Sequence, residues 1–271
     1  MRRTLLLAGL ALALLSGTAQ AAVSPLDLVQ PISDYKIYVG QQVDQLVITI
    51  QKFVDSIQKG DIETAKNLYA PSRVYYERVE PLAELFSDLD ASIDSRADDH
   101  EKKEQDPGFT GFHRIEYLLF AKSDVAGAKP YADKLLKDIK DLQSRIAGLT
   151  VEPKVMVGGA AGLIEEVASS KITGEEDRYS GTDLYDFQAN VDGAEKIVDL
   201  LRPLVSKEDS ALADKIDGNF KTVDTVLAKY KTADGYQNYD KLTDKDRLAL
   251  QGPITELAED LSKLTGTLGL E

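Results

Sequence analysis

Apolar residues recur at three- and four-residue intervals through Val39, Val43, Leu46, Val47, Ile50, Phe53, Val54 and Ile57, and the run stops at Gly60. That spacing lines one face of an α-helix and does not suit a strand, whose side chains alternate with period two. Helical patterning also runs through segments at about 61–69, 111–121, 129–148, 152–170, 182–204, 207–230 and 243–265. Alternating β-branched runs are few, and no Asn-Gly or Asp-Gly pair sits between strand-like segments. The expected fold is all-α. Pro71 reads as the start of a third helix, where its missing N–H costs nothing. Pro130, Pro153 and Pro253 fall near other expected starts, and Gly148, Gly235 and Gly252 near breaks. Short connections favour antiparallel neighbours, so the simplest arrangement is two packed helical bundles, residues 22–148 and 149–271.

Met1-Arg2-Arg3, the apolar run from Leu5 to Leu15 and Ala19-Gln20-Ala21 together have the form of a secretory signal peptide cleaved near Ala21. The run is shorter than the roughly 20 residues that span a bilayer, so a soluble exported protein in the periplasm is expected. With no cysteine, the chain has no disulfides, thiolate metal sites or cysteine nucleophile. Any metal must be held by oxygen and nitrogen. Loss of residues 1–21 removes Arg2 and Arg3 and leaves 30 basic against 46 acidic residues, a net charge of −16. Such a surface repels nucleic acid and concentrates cations, though the same charge also serves simple solubility.

Gly111-Phe112-His113-Arg114-Ile115-Glu116 places one of only two histidines three residues before a glutamate. On a helix the two side chains share a face and can meet on one ion, or can simply hydrogen-bond to each other. The apolar Tyr117-Leu118-Leu119-Phe120 that follows argues for burial, and buried polar groups need partners. Glu77 and Glu80 form a second pair at the same spacing, whose repulsion either a cation or Arg73, four residues before Glu77, would relieve. Pro81 lacks the N–H that would bond the Glu77 carbonyl, so a kink is expected there. Asp94 follows the apolar Ile93, whereas Asp98-Asp99-His100-Glu101 reads as a solvated acidic loop with His100 exposed. The irregular stretches 91–110 and 171–182 hold most of the clustered acids outside helices, and Glu175-Glu176-Asp177 in the second could close over a site. No H-E-x-x-H, G-x-S-x-G, Walker or dinucleotide motif is present.

Tyr76-Glu77-Arg78-Val79-Glu80-Pro81, Ile93-Asp94-Ser95-Arg96, the His113 block, Gly174-Glu175-Glu176-Asp177-Arg178-Tyr179-Ser180 and Asp183 through Asn190 occur in order over roughly residues 30–270. In this combination the chain resembles the imelysin-like domain of EfeO and EfeM proteins, and lacking a cupredoxin-like domain it looks like the shorter EfeM type. The resemblance implies helical bundles and a role in periplasmic iron uptake beside an inner-membrane iron permease and a haem-containing peroxidase. It also implies metal ligation by His113, Glu116, Glu77, Glu80, Asp94 and Glu176, in one site or two. Imidazole with carboxylates suits iron first, and also zinc, manganese or copper(II), while a site of acids alone would suit calcium.

The same family includes a periplasmic alginate-binding protein, which makes acidic-polysaccharide binding the alternative. A polyanion would then need a basic groove, for which Lys134, Lys137 and Lys140 are the candidates. Some imelysins are described as peptidases. Without an H-E-x-x-H general base, this chain is expected to bind metal rather than to be an enzyme.

Overall fold

The computed structural model describes residues 23–270, so the expected signal peptide and its cleavage site lie outside the described residues. The described chain is almost wholly helical. Helix α1 (Val29–Lys59) buries Tyr35, Val39, Val43, Leu46, Ile50, Phe53 and Ile57 along one stripe. A fully buried side chain of this kind contributes roughly 1.5–3 kcal/mol, so this stripe anchors the first half of the molecule. Gly60 ends the helix in the left-handed conformation, and Asp61 caps α2 (Ile62–Glu77) by accepting the Thr64 amide at 3.1 Å.

After α2 come two short helices, α3 (Glu80–Ala83) and α4 (Ser87–Ile93). Further along, α5 (Gly111–Glu116) widens into a π turn at Tyr117–Ala121. Helix α6 (Val125–Gly148) returns along α1. The second half contains α7 (Pro153–Ser169), α8 (Asp183–Glu208), α9 (Ser210–Leu227), a hairpin of β1 (Lys231–Thr232) and β2 (Gly235–Tyr236), α10 (Asp244–Leu261) and α11 (Leu264–Thr267). Helices α7 to α10 pack together, and α2 lies against α8 where the two halves meet. Buried apolar residues are continuous across that junction. None of the described helices is long and apolar enough to cross a membrane.

Several local expectations are overturned. Pro71 does not open a helix but lies inside α2, with its exposed ring on the outer side and buried Tyr69, Ser72 and Arg73 holding the helix around it. Pro253 and Gly252 lie inside α10, whose start is a capping box in which Thr243 and Asp246 exchange hydrogen bonds. Asp234-Gly235 does sit in a hairpin, with strands of only two residues each, too short to leave a periodic signature. His100 is half-buried, with Nε2 at 2.9 Å from Ser95 Oγ and its ring 5.6 Å from that of Phe109.

Two glycines allow the close approaches that assemble the junction. Gly111 has φ +79°, and a Cβ there would lie 2.0 Å from the Ile93 carbonyl oxygen, so only glycine lets α5 start against the end of α4. A Cβ on Gly193 would lie 2.7 Å from the Arg78 carbonyl, which is how α8 comes up against the turn between α2 and α3.

Candidate metal centre

At the α2–α8 junction, Arg73 and Glu77 point from one face of α2 toward Asp183, Asp186 and Asn190, which share a face of α8 at i, i+3 and i+7 spacing. Helix α4 ends at Asp94, α5 brings His113 and Glu116, and the connection from α7 to α8 brings Lys171, Glu176 and Asp177. Side chains of Arg73, Glu77, His113, Glu116, Lys171, Glu176, Asp177 and Asp186 are all essentially inaccessible to solvent. Buried charges in such numbers are tolerated only when paired and hydrogen-bonded.

Two buried cations organise the carboxylates. The Arg73 guanidinium donates to Glu77 Oε1 at 2.5 Å, Glu176 Oε1 at 3.1 Å, Asp186 Oδ2 at 3.2 Å and Asp94 Oδ1, and it lies 5.0 Å from the Phe112 ring centroid. Lys171 Nζ donates to Glu77 Oε2 at 2.6 Å and Glu80 Oε2 at 3.2 Å, with Glu166 at 3.8 Å and Glu176 at 4.0 Å. Asn190 Nδ2 bonds both Glu77 and Glu80 side chains and also the Glu77 carbonyl at 3.1 Å. That carbonyl is the acceptor which Pro81, with no N–H, leaves open where α2 breaks.

His113 stands apart from this pairing. Its Nδ1 is 3.3 Å from Glu116 Oε2, while Glu116 Oε1 accepts the backbone amides of Tyr179 at 2.9 Å and Ser180 at 2.7 Å. Glu116 thus fixes the ring and ties it to the α7–α8 connection, leaving Nε2 turned toward Asp94 and Glu176. Among the described residues Nε2 has no hydrogen-bond partner, although Asp94 Oδ1 lies 3.5 Å away and Glu176 Oε1 3.4 Å. One ligand atom from each of Asp94, His113 and Glu176 lies within 4.8 Å of the others. A buried imidazole nitrogen without a hydrogen bond, between two carboxylates, fits a nitrogen-tolerant cation.

Asp94 and Glu176 also line a cleft of about 290 Å³, whose walls include Glu80, Glu84, Asp90 and Glu166. Arg96 is the single cation among its described lining residues, and it bonds Glu176 Oε2 at 3.1 Å. The cleft therefore joins solvent to the His113 group along a negatively charged wall.

The site perturbs protonation in both directions, as functional sites commonly do. Burial and the Arg73 charge push His113 down, but Glu116, Glu176 and Asp94 outweigh them and hold it at about 10. Burial pushes Asp94 up to about 7 against the pull of Arg73 and His113. Burial also raises Glu80 and Asp186, opposed by Lys171 and Arg73 respectively. Glu176 behaves oppositely: burial raises it, yet Lys171, His113 and Arg73 together hold it well below the usual carboxylate range. Asp183, with Asp177 beside it, is pushed by burial and that charge up to about 8.

Of the six residues singled out in the sequence, Asp94, His113 and Glu176 converge directly. Glu116 lies on the far side of the imidazole, and Glu77 and Glu80 meet on Lys171. The ion pair of Glu77 with Arg73 at i, i+4 is present in the form its spacing suggests. Lys171, Asp183, Asp186 and Asn190 escaped the sequence reading as site residues, whereas Asp177 lay in the acidic run read as able to close over a site. The polar residues 183, 186 and 190, spaced along the otherwise apolar buried face of α8, were a usable signal; Lys171 offered none. Of the three lysines considered for a basic groove, Lys134 is held by Asp138 at 2.5 Å and by Ser92, while Lys140 lies 3.5 Å from Gln51 Oε1.

The family model described as imelysin, peptidase M75, matches residues 31–264. The iron uptake system component EfeM of Pseudomonas syringae pv. syringae (strain B728a) is 62% identical over 253 residues, covering 93% of this chain and 89% of that protein. The iron uptake system component EfeO of Yersinia pseudotuberculosis serotype I (strain IP32953) is 62% identical over 254 residues, covering 93% of this chain and 68% of its own. EfeO of Escherichia coli O6:K15:H31 (strain 536 / UPEC) is 61% identical over 256 residues, covering 94% and 68%.

Proposed function

The chain belongs to the imelysin family, and from that premise we propose that it serves iron uptake by capturing iron in the acidic cleft and handing it on to an inner-membrane permease. The leader read at Met1–Ala21 delivers the protein to the periplasm, where the haem-containing peroxidase of the same uptake systems is its second partner. Iron is here the cargo. The cleft wall draws the cation inward, and His113 Nε2, Asp94 and Glu176 take it at the inner end. Glu116 orients the imidazole, while Glu77 and Glu80 supply carboxylates beside the entering ion.

A single observation carries the reading: a buried imidazole nitrogen with no hydrogen-bond partner among the described residues, 3.4 and 3.5 Å from two carboxylates. Because neighbouring carboxylates hold a proton on His113, an arriving ion displaces that proton, so capture strengthens as pH rises. The site performs no peptidase chemistry in this reading. It has no H-E-x-x-H general base, and the Glu116 carboxylate beside His113 is occupied by two amides.

Calorimetric titration of chelator-stripped protein with Fe(II), Fe(III), Zn(II) and Ca(II) tests the proposal. Wild type should bind the transition metals tightly, and His113→Ala should weaken that binding by roughly 100-fold or more, since removing even an outer partner of a ligand costs 10- to 100-fold. Equal affinities in the two proteins would refute it.

A further inference from the structure

Lys171 has the surroundings of a bound cation. Its side chain is fully buried, and its ammonium lies 2.6 Å from Glu77, 3.2 Å from Glu80, 3.8 Å from Glu166 and 4.0 Å from Glu176. Three of these carboxylates also line the cleft. Glu77, Glu80 and Asp94 themselves form a group with ligand atoms within 4.8 Å of one another. The ammonium therefore neutralises the carboxylates that an entering cation would meet beside the His113 group.

We infer that Lys171 is a tethered competitor for the metal: its ammonium is the resident counter-cation of the cleft, and the arriving ion must displace it from Glu77 and Glu80. This inference rests on the metal-capture reading above. Two physical consequences follow. An ion is bound less tightly than the bare carboxylates would hold it, because it must first break a buried ion pair. The returning ammonium also competes at release, which suits a protein that must give up its cargo. Sequence proximity adds a mechanical link: Lys171 and Glu176 lie on the same connection, five residues apart, and Glu116 grips that connection at Tyr179 and Ser180. Withdrawal of the ammonium and approach of Glu176 to an ion thus involve one segment.

The competitor also discriminates between ions. Carboxylates alone make a site for calcium, a hard cation that takes oxygen ligands. With Lys171 seated on Glu77 and Glu80, a calcium ion gains little over the ammonium it replaces, whereas an ion that also takes the His113 nitrogen gains a ligand.

The test compares wild type, Lys171→Met and Lys171→Gln in calorimetric titrations with Zn(II) and Ca(II), with release timed by chelator chase. Both variants should bind zinc roughly 10- to 100-fold more tightly, release it correspondingly more slowly, and bind calcium where wild type does not. A lysine that only supported the fold would leave affinity unchanged or reduced in both variants, and that result would overturn the inference. If Lys171→Met does not fold, Lys171→Gln, which can still hydrogen-bond to both glutamates, decides alone. Adding His113→Ala to each variant separates the two readings. Loss of zinc binding with gain of calcium binding supports both, whereas zinc binding indifferent to His113 refutes the capture site and leaves the calcium gain to judge Lys171.

Discussion

Replacing Arg73 by methionine would remove the guanidinium, and with it the cation over the Phe112 ring, while keeping part of the apolar stem. Four carboxylates would lose a donor: Glu77, Asp94, Glu176 and Asp186. Breaking a buried pair from one side costs about 3–5 kcal/mol, because the remaining charge is left uncompensated. Here the loss falls at the upper end at first sight, with several acids exposed to one another. Proton uptake limits it, since Asp94 already sits at about 7 and Asp186 is held above its ordinary value. The expected deficit is therefore about 3–5 kcal/mol at pH 7, within a native stability of typically 5–15 kcal/mol. The sign with pH follows: the arginine contributes while the carboxylates are ionised, so the deficit shrinks as falling pH protonates them. Urea unfolding of both proteins in chelator at pH 7 and pH 5 measures it. A loss under about 1 kcal/mol at pH 7, or an equal loss at the two pH values, would refute the account of Arg73 as the organiser of these acids.

Gly111→Ala places a methyl against the Ile93 carbonyl and forces alanine into a left-handed backbone, so stability should fall by about 2 kcal/mol or more. It should also push His113 away from Asp94 and weaken zinc binding; wild-type calorimetry and urea midpoints would contradict this. Asp260 is buried and accepts from Lys263 at 2.7 Å, Lys215 at 3.0 Å and Asn219 at 2.7 Å, joining α10 to α9. Burial raises its carboxyl, but the two lysines outweigh that and hold it below its ordinary value. Its contribution is thus present above the unfolded carboxylate range and lost as pH falls through the lower folded value. Because both lysines are largely exposed, Asp260→Asn should cost only about 1 kcal/mol at neutral pH, with the difference closing in strong acid; a pH-independent difference in thermal unfolding would show that packing, not charge, is responsible.

Periodicity made the all-α class legible because an apolar stripe at intervals of three and four can be buried only by a helix. The same local rule exposed His113 with Glu116, Arg73 with Glu77, and the freed Glu77 carbonyl ahead of Pro81, since each relation spans four residues or fewer. Family resemblance extended that reach to Asp94 and Glu176. Prolines misled at Pro71 and Pro253, where the helix continues through the ring, at Pro71 with buried neighbours and an exposed ring. Tertiary structure alone decided which carboxylates meet the His113 Nε2 and which meet a buried cation. Glu176 lies 63 residues from His113, and Lys171 lies 94 from Glu77, separations over which no helical period carries information. Their meeting depends on α2 closing against α8 and on the α7–α8 connection folding back over α5, and desolvation at that closure turns ordinary acids and bases into a coupled charge network.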